Sequence, residues 1–401
     1  MAIFSLFCFI SCSVCVVTRL TCLFTDILMN LFIDKTTKKP IKRKKNVRFV
    51  ILQFLFMMKY KNILLAAFTG ILFVLTSCNK EPQVDLTAEW KDITVIYGLM
   101  DINDTAHYVR ISKAFLGTGN LYSYAGIKDS IYYPDILTVT IEEYDGSTLK
   151  NTYPLQRVVN EIPKDSGLFY SDENILYKFT APLNSSRTYK LKVKNGETGK
   201  EVTGETEIVR NPTINRPSPV QQISFFNNTG LPYDFKSEIV TGNKANRVQA
   251  VIKFEFWEHT ATDSTLKSIS FSIGTQTASS DNGGNTMTFV LNGNTFLENL
   301  KSMLSDDPSI IKRTFKSDKL NITTQEKYEV FFTYYSADKF LTTYIDVNKP
   351  ANGIIQEKPD YTNITNGIGI FASRNTKETA GNMLQKDTKE KIKQDASLKF
   401  Q

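Results

Sequence analysis

Residues 189–209 read YKLKVKNGETGKEVTGETEIV. Tyr189, Leu191 and Val193 alternate with Lys190, Lys192 and Lys194, the period of two expected of a strand with one buried and one wet face. Asn195-Gly196 follows at once, a favoured pair for a tight turn, and Glu201 to Val209 returns as the hairpin partner. Residues 135–144 repeat the pattern with Leu137, Val139 and Ile141 on one face, and Asp145-Gly146 supplies a second turn. Further on, Val248, Ala250, Ile252, Phe254 and Phe256 face one way while Arg247, Gln249, Lys253 and Glu255 face the other, and another strand is expected over 326–335.

The fold class that follows is mainly β. An antiparallel β-sandwich, Ig-like or similar, is expected over 90–210, and a second β-rich domain with two short helices over 220–374. Between them, NPTINRPSP at 211–219 carries three prolines, which fix φ and remove ladder donors, so a linker is expected there. One helix is expected from Thr295 to Leu304, opened by a capping box that ends at Glu298. A second is expected from Ser336 to Ile345, with Ala337, Phe340, Leu341, Tyr344 and Ile345 on one stripe. Residues 375–401 are polar and lysine-rich, and a loosely ordered tail is expected.

Composition changes abruptly near residue 78. Residues 1–77 hold eleven of the 48 Lys and Arg but two of the 41 Asp and Glu, leaving 37 basic against 39 acidic residues in the rest. The overall charge of +7 thus belongs to the first segment, and nucleic acid is not an expected partner. All five cysteines lie at or before Cys78, so the body has no disulfide framework. A body of about 324 residues can bury enough apolar surface to fold without one.

From Met58 the chain reads MKYKNILLAAFTGILFVLTSC. Lys59 and Lys61 form a charged n-region and Ile63 to Leu75 an apolar h-region, with Thr76 and Ser77 small residues before a cut. The h-region is shorter than the roughly 20 residues of a spanning helix. Leu75-Thr76-Ser77-Cys78 resembles a bacterial lipobox, which implies cleavage between Ser77 and Cys78 and diacylglycerol and acyl chains, such as palmitate, on Cys78. Two or three chains give the stable anchoring that one cannot, at about 0.8 kcal/mol per buried methylene. Residues 1–57 then read as an over-extended start, with a transmembrane helix over the apolar stretch from Ala2 and a basic flank at Lys38 to Arg48 as the alternative, 58–77 as the signal peptide and 78–89 as a polar tether.

Three stretches resemble a family of lipoproteins common in Bacteroidota, grouped as a domain of unknown function. They are DITVIYGLMDINDTAHYVRISKAFLG at 92–117, DSIYY at 129–133 and YTNITNGIGIFASR at 361–374. These are strand-and-turn patterns, so the resemblance implies an envelope compartment, with the outer membrane as destination, and a β-sandwich-like fold. In that phylum an acidic run after the lipid cysteine looks like a signal for outer-face display. Here Asn79-Lys80-Glu81-Pro82 carries one acid, which leaves the periplasmic and surface faces both open.

Histidine and cysteine are scarce in the body: His107, His259 and the lipid-bearing Cys78. That argues against zinc sites and Cys-His or Ser-His-Asp catalysis. His107 shares a strand face with Val109 and Ile111 and is expected to be structural, and His259 is expected at the surface of a strand end. Asp101, Asn103 and Asp104 form an oxygen-rich turn, as does the run Asp281 to Asn285. The first trio is a weak calcium candidate, but neither turn has the twelve-residue spacing with a closing Glu, and turns use these residues anyway. No metal and no cofactor is expected. In the loop-like stretch 121–134, Tyr122, Tyr124, Tyr132 and Tyr133 are the candidate contact surface, since exposed tyrosines stack on sugars or pack on proteins.

The expected function is therefore a non-enzymatic envelope lipoprotein that meets the membrane through Cys78 and binds a protein or glycan partner. Two alternatives stand beside it. One is a lipid-anchored glycan hydrolase using two carboxylates about 5 to 9 Å apart; the other is a structural envelope component.

Overall fold

The alternation read in the sequence builds three sheets in the computed structural model, which describes residues 93–114, 121–318, 327–350 and 360–401. The protein is mainly β with few helices, and the described residues fall within one compact unit. The lipobox, Ser77 and Cys78, with the signal and tether, lies outside the described residues.

The largest sheet has nine strands. Its first-half members are β1 (Thr94–Asp101), β2 (Ala106–Lys113), β5 (Gln156–Val159) and β6 (Ile175–Thr180). Its second-half members are β11 (Arg247–His259), β12 (Ser264–Thr277), β14 (Lys312–Phe315), β15 (Val330–Ala337) and β17 (Gly367–Glu378). The order is β12-β11-β15-β17-β1-β2-β6-β5, with β14 also paired to β11. The two halves join where β1 runs parallel to β17, Thr94 opposite Gly367 and Asp101 opposite Arg374. A Cβ at Gly369, whose φ is 111°, would sit 2.0 Å from the Ile96 carbonyl oxygen, so only glycine admits this pairing.

Two smaller sheets cover one face of the large one. The first holds β3 (Leu137–Asp145), β4 (Thr148–Pro154), β7 (Thr188–Asn195), β8 (Glu201–Glu207) and β16 (Ile364–Thr365). Ile141, Tyr189 and Leu191 from it meet Ile96, Val109 and Phe371 from the large sheet, in a sandwich-like core. The second holds β9 (Thr213–Arg216), β10 (Asp234–Val240) and β13 (Thr286–Asn292). It closes a phenylalanine-rich core over Phe254, Phe256 and Phe332.

Several sequence expectations are corrected. The boundary at 211–219 separates two cores rather than two domains, because β1 and β17 make one sheet across it, and Thr213–Arg216 pairs as a strand instead of linking. The hairpin after β7 closes through a longer loop than Asn195-Gly196 alone. The Asn195 Oδ1 accepts from the backbone of Glu197 and Thr198, and Lys194 pairs with Glu201. Helix α3 (Gly293–Met303) starts earlier than expected, with Asn292 as cap: its side chain accepts from Asn294 N at 2.9 Å. Helix α4 (Lys339–Asn348) starts later, because Ser336 and Ala337 complete β15 against β11 and Asp338 takes the cap.

The tail is the largest correction. Residues 375–378 end β17, helix α5 spans Lys386–Lys393, and Leu384, Ile392, Leu398 and Phe400 all enter the phenylalanine-rich core. Few apolar residues suffice when each reaches one pre-built core. Buried polar groups fix the path: the Thr388 hydroxyl accepts from Phe225 N at 2.9 Å, and Glu329, fully buried, accepts from Leu384 N at 2.9 Å and Ser317 Oγ at 2.6 Å.

Candidate functional site

The face of the large sheet turned away from the two cores carries a cleft. Alternation places Ile96 and Met100 of β1 in the core and sends Val95 and Tyr97 to the other side. In β2, Val109 and Ile111 go inward, and Arg110 and Ser112 stand opposite Tyr97 and Val95 in the antiparallel register. These four residues form the floor of a cleft of about 470 Å³. Two short helices, α1 (Leu121–Ala125) and α2 (Lys128–Ile131), follow β2, and Ile131 and Tyr132 from this segment form one wall. Lys164 and Phe169, from the connection between β5 and β6, form another.

A second hollow of about 250 Å³ shares Tyr97 with the first and extends past Ile368 to Tyr344, Asn348, Asp360, Tyr361 and Thr362. Tyr97 and Tyr344 meet edge to face, with centroids 6.4 Å apart and planes at 76°. The hydrogen bond with Tyr97, then burial, pushes the Tyr344 phenol up to about 12. The two hollows together lie within the size range of small-ligand sites.

The first hollow is cationic. Arg110, Lys113 and Lys164 line it, and among the described residues no Asp or Glu does. Among the described residues none of the three is ion-paired: Arg110 donates to Asn174 Oδ1 at 3.0 Å, Lys164 to the Tyr170 carbonyl at 2.5 Å, and Lys113 lies 5.9 Å from the Tyr133 ring centroid. Burial, aided by Arg110, holds the Lys164 amine below its ordinary value. Apolar area stands exposed around the rim: Tyr97 is 44% exposed, Phe169 51% and Ile368 45%.

The four tyrosines expected to form one surface divide. Tyr122 is 68% exposed and Tyr124 part-buried. Tyr132 and Tyr133 are interior, at 3% and 6%, and the Tyr133 hydroxyl lies 3.0 Å from Thr94 Oγ1. The segment forms the helical turns α1 and α2 where a loop is expected; Tyr132 packs with Ile131 and Ile175, Tyr133 joins the sandwich core, and of the four tyrosines Tyr132 borders the cleft. Tyr97, Arg110, Lys164 and Phe169 were not singled out in the sequence. Tyr97 and Arg110 had a signal in the alternation of β1 and β2, whereas Lys164 and Phe169 reach the cleft by a connection with no periodicity.

The oxygen-rich turns act as turns. Asp101 is buried, its Oδ1 accepting from Asn103 N at 3.0 Å, and burial pushes its carboxyl up. The Asn103 amide donates to Asn211 Oδ1 and to the Thr376 carbonyl, while Asp104 is exposed. In the other turn, Lys244 N donates to the Asp281 carbonyl and Asn285 N to Thr241 Oγ1. Among the described residues no group of three or more His, Cys, Asp or Glu could hold a metal ion. His107 is buried against Phe179, with Nε2 3.1 Å from the Ala181 carbonyl, and burial pulls its pKa down. His259 corrects its surface expectation: it is 5% exposed because β14 covers it, with its ring nitrogens 2.7 Å from Ser264 Oγ and 2.9 Å from Thr314 Oγ1.

A polar seam runs between the two cores behind the cleft. Asp338 accepts from Leu341 N, Ser373 N and Thr206 Oγ1, yet burial outweighs these bonds and pushes its pKa from 3.8 to about 6. The folded state therefore binds this proton more tightly than the unfolded chain, and the contribution is full below pH 3.8 and lost as pH rises through about 6. Stability relative to Asp338→Asn is expected to fall across that window in denaturant titrations. A flat difference would show that the carboxylate is not destabilised by its burial.

No family model matches the chain, and no curated protein matches it. Among solved structures, it is similar to the C-terminal globular domain of an oligosaccharyltransferase from Pyrococcus abyssi, at 12% identity and a TM-score of 0.20. The match covers 54% of this chain and 44% of that one. Among the described residues, no helix is long and apolar enough to cross a membrane.

Proposed function

We propose that the protein is a lipid-anchored lipoprotein of the cell envelope whose sandwich-like body binds a glycan or protein partner through the cleft over β2, β1 and β17. The anchoring half of this reading is carried by one observation: a charged n-region and apolar h-region end in Leu75-Thr76-Ser77-Cys78, and no cysteine follows. The resemblance of 92–117 and 361–374 to envelope lipoproteins points the same way, and those stretches include the cleft residues Tyr97, Arg110, Tyr361 and Ile368. The binding half is supported by the exposed aromatic and cationic lining. An arrangement for carboxylate-pair hydrolysis would set two acids facing each other, whereas the described lining of the two hollows contains one, Asp360.

Intact mass of the protein from its own membranes is expected to show a chain beginning at an acylated Cys78. A Cys78→Ala variant is expected to leave the membrane fraction or to keep its signal segment. A soluble wild-type protein, or one that retains residues 1–57, would overturn the reading.

A further inference from the structure

The cleft has two chemically distinct ends. At one, Arg110, Lys113 and Lys164 gather around an apolar wall with no facing acid among the described lining. At the other, Tyr344, Asn348, Tyr361 and Thr362 offer phenol, amide and hydroxyl groups, with Asp360 beside them. Tyr97 belongs to both and is the hinge between them. We propose, on the partner-binding reading above, that this cleft binds an acidic oligosaccharide, with a uronate carboxylate held at the Arg110, Lys113 and Lys164 end and neutral sugar rings running over Tyr97 toward Tyr344 and Tyr361.

Three physical points select this occupant. Cations with no carboxylate partner among the described residues, gathered in a partly enclosed site, concentrate positive potential, which draws a carboxylate that charge-assisted hydrogen bonds then hold. Lys164 is already partly desolvated, so an incoming anion meets a charge that water solvates poorly. The floor also disfavours an extended acidic peptide. β1 lies between β17 and β2 in the sheet, so its backbone donors and acceptors are engaged on both sides and no edge is offered for strand addition. What the floor presents instead is aromatic area and side-chain hydroxyls, the groups that suit sugar faces and sugar hydroxyls.

The test uses the full acylated protein in detergent, with calorimetric titration of trigalacturonate, galactotriose and a hexaglutamate peptide. Trigalacturonate is expected to bind about tenfold more tightly than galactotriose, the worth of one charge-assisted contact set. Its affinity is expected to fall as salt rises and shortens the screening length. Lys164→Gln is expected to remove most of that preference, weakening trigalacturonate far more than galactotriose, which carries no charge for the lost ammonium to meet. Tyr97→Ala is expected to weaken both sugars. Equal affinity for the two sugars would overturn the acidic-ligand inference while leaving the partner-binding reading in place. Tighter binding of hexaglutamate would overturn it in favour of a peptide, and no binding of any probe would overturn it outright. None of these outcomes bears on Cys78 acylation, so the two failures remain distinguishable.

Discussion

Replacing Arg313 with Ala is expected to destabilise the protein by about 3–5 kcal/mol, the usual cost of removing one partner of a buried ion pair. Arg313 is fully buried. Its Nε and Nη2 reach Glu258 Oε1 at 2.9 and 2.8 Å, Nη1 donates to the Leu398 carbonyl at 3.0 Å, and Nη2 to the Ser305 carbonyl at 2.7 Å. Truncation strands the Glu258 carboxylate and two carbonyls without donors. The backbone of the same residue pairs with the chain end, Arg313 N to the Lys399 carbonyl and Gln401 N to the Arg313 carbonyl. The lost guanidinium should therefore loosen the C-terminal segment first. Chemical denaturation measures the total, and amide exchange of residues 396–401 should rise ahead of the sheet. Lys in place of Arg is expected to recover little, because an ammonium cannot address three acceptors in one plane. A loss below about 1 kcal/mol would mean that the pair adds no net stability to the C-terminal docking.

Phe296→Ala is the second large effect, expected at about 3–5 kcal/mol. Phe296 lies on the buried side of α3, stacked on Phe225 with centroids 4.2 Å apart and planes at 17°, and touches Phe254 edge-on at 6.1 Å. Its removal takes away transfer free energy and leaves a cavity between a helix, a strand and the loop that carries Phe225, each held by other contacts and unable to collapse inward. Phe296→Leu should recover more than half of the loss, since most of the volume returns. The contrast between these two variants separates packing from any effect on helix propensity. If Leu is no better than Ala, ring stacking rather than volume holds this core.

Strand identity was legible because each strand needs only its own residues. Val248 to Phe256 alternate in sequence, and every one of the five apolar members is at most 1% exposed in the fold. Asp145-Gly146 likewise turns β3 into β4, with Gly146 at φ 59°, a conformation that glycine adopts at no steric cost. Helix starts were less legible. Asn292 and Asp338 compete with nearby Thr and Ser for the cap, and the choice falls to whichever residue ends the preceding strand pairing. The order of the tail is not legible locally, because its composition says nothing about a core assembled from residues far away in sequence.

The candidate site shows the same division. That Tyr97 and Arg110 point away from Ile96 and Val109 follows from the period of two. That they become the floor of a cleft follows from β17, residues 367–378, arriving parallel beside β1, and from Lys164 and Phe169 being folded over them. By itself, then, the sequence determined the β class of the body, the faces of its main strands, the placing of all five cysteines at or before Cys78 and the composition of the segment before it. The tertiary structure alone decided the rest: one sheet through both halves, the burial of His259, Tyr132 and the C-terminal residues, and the gathering of three cations. Alternation is a property of neighbouring residues and is written locally. Sheet order and core membership depend on contacts between residues up to hundreds of positions apart, and the charge cluster joins Arg110 and Lys113 to Lys164 across three intervening strands, so no short window along the chain contains them.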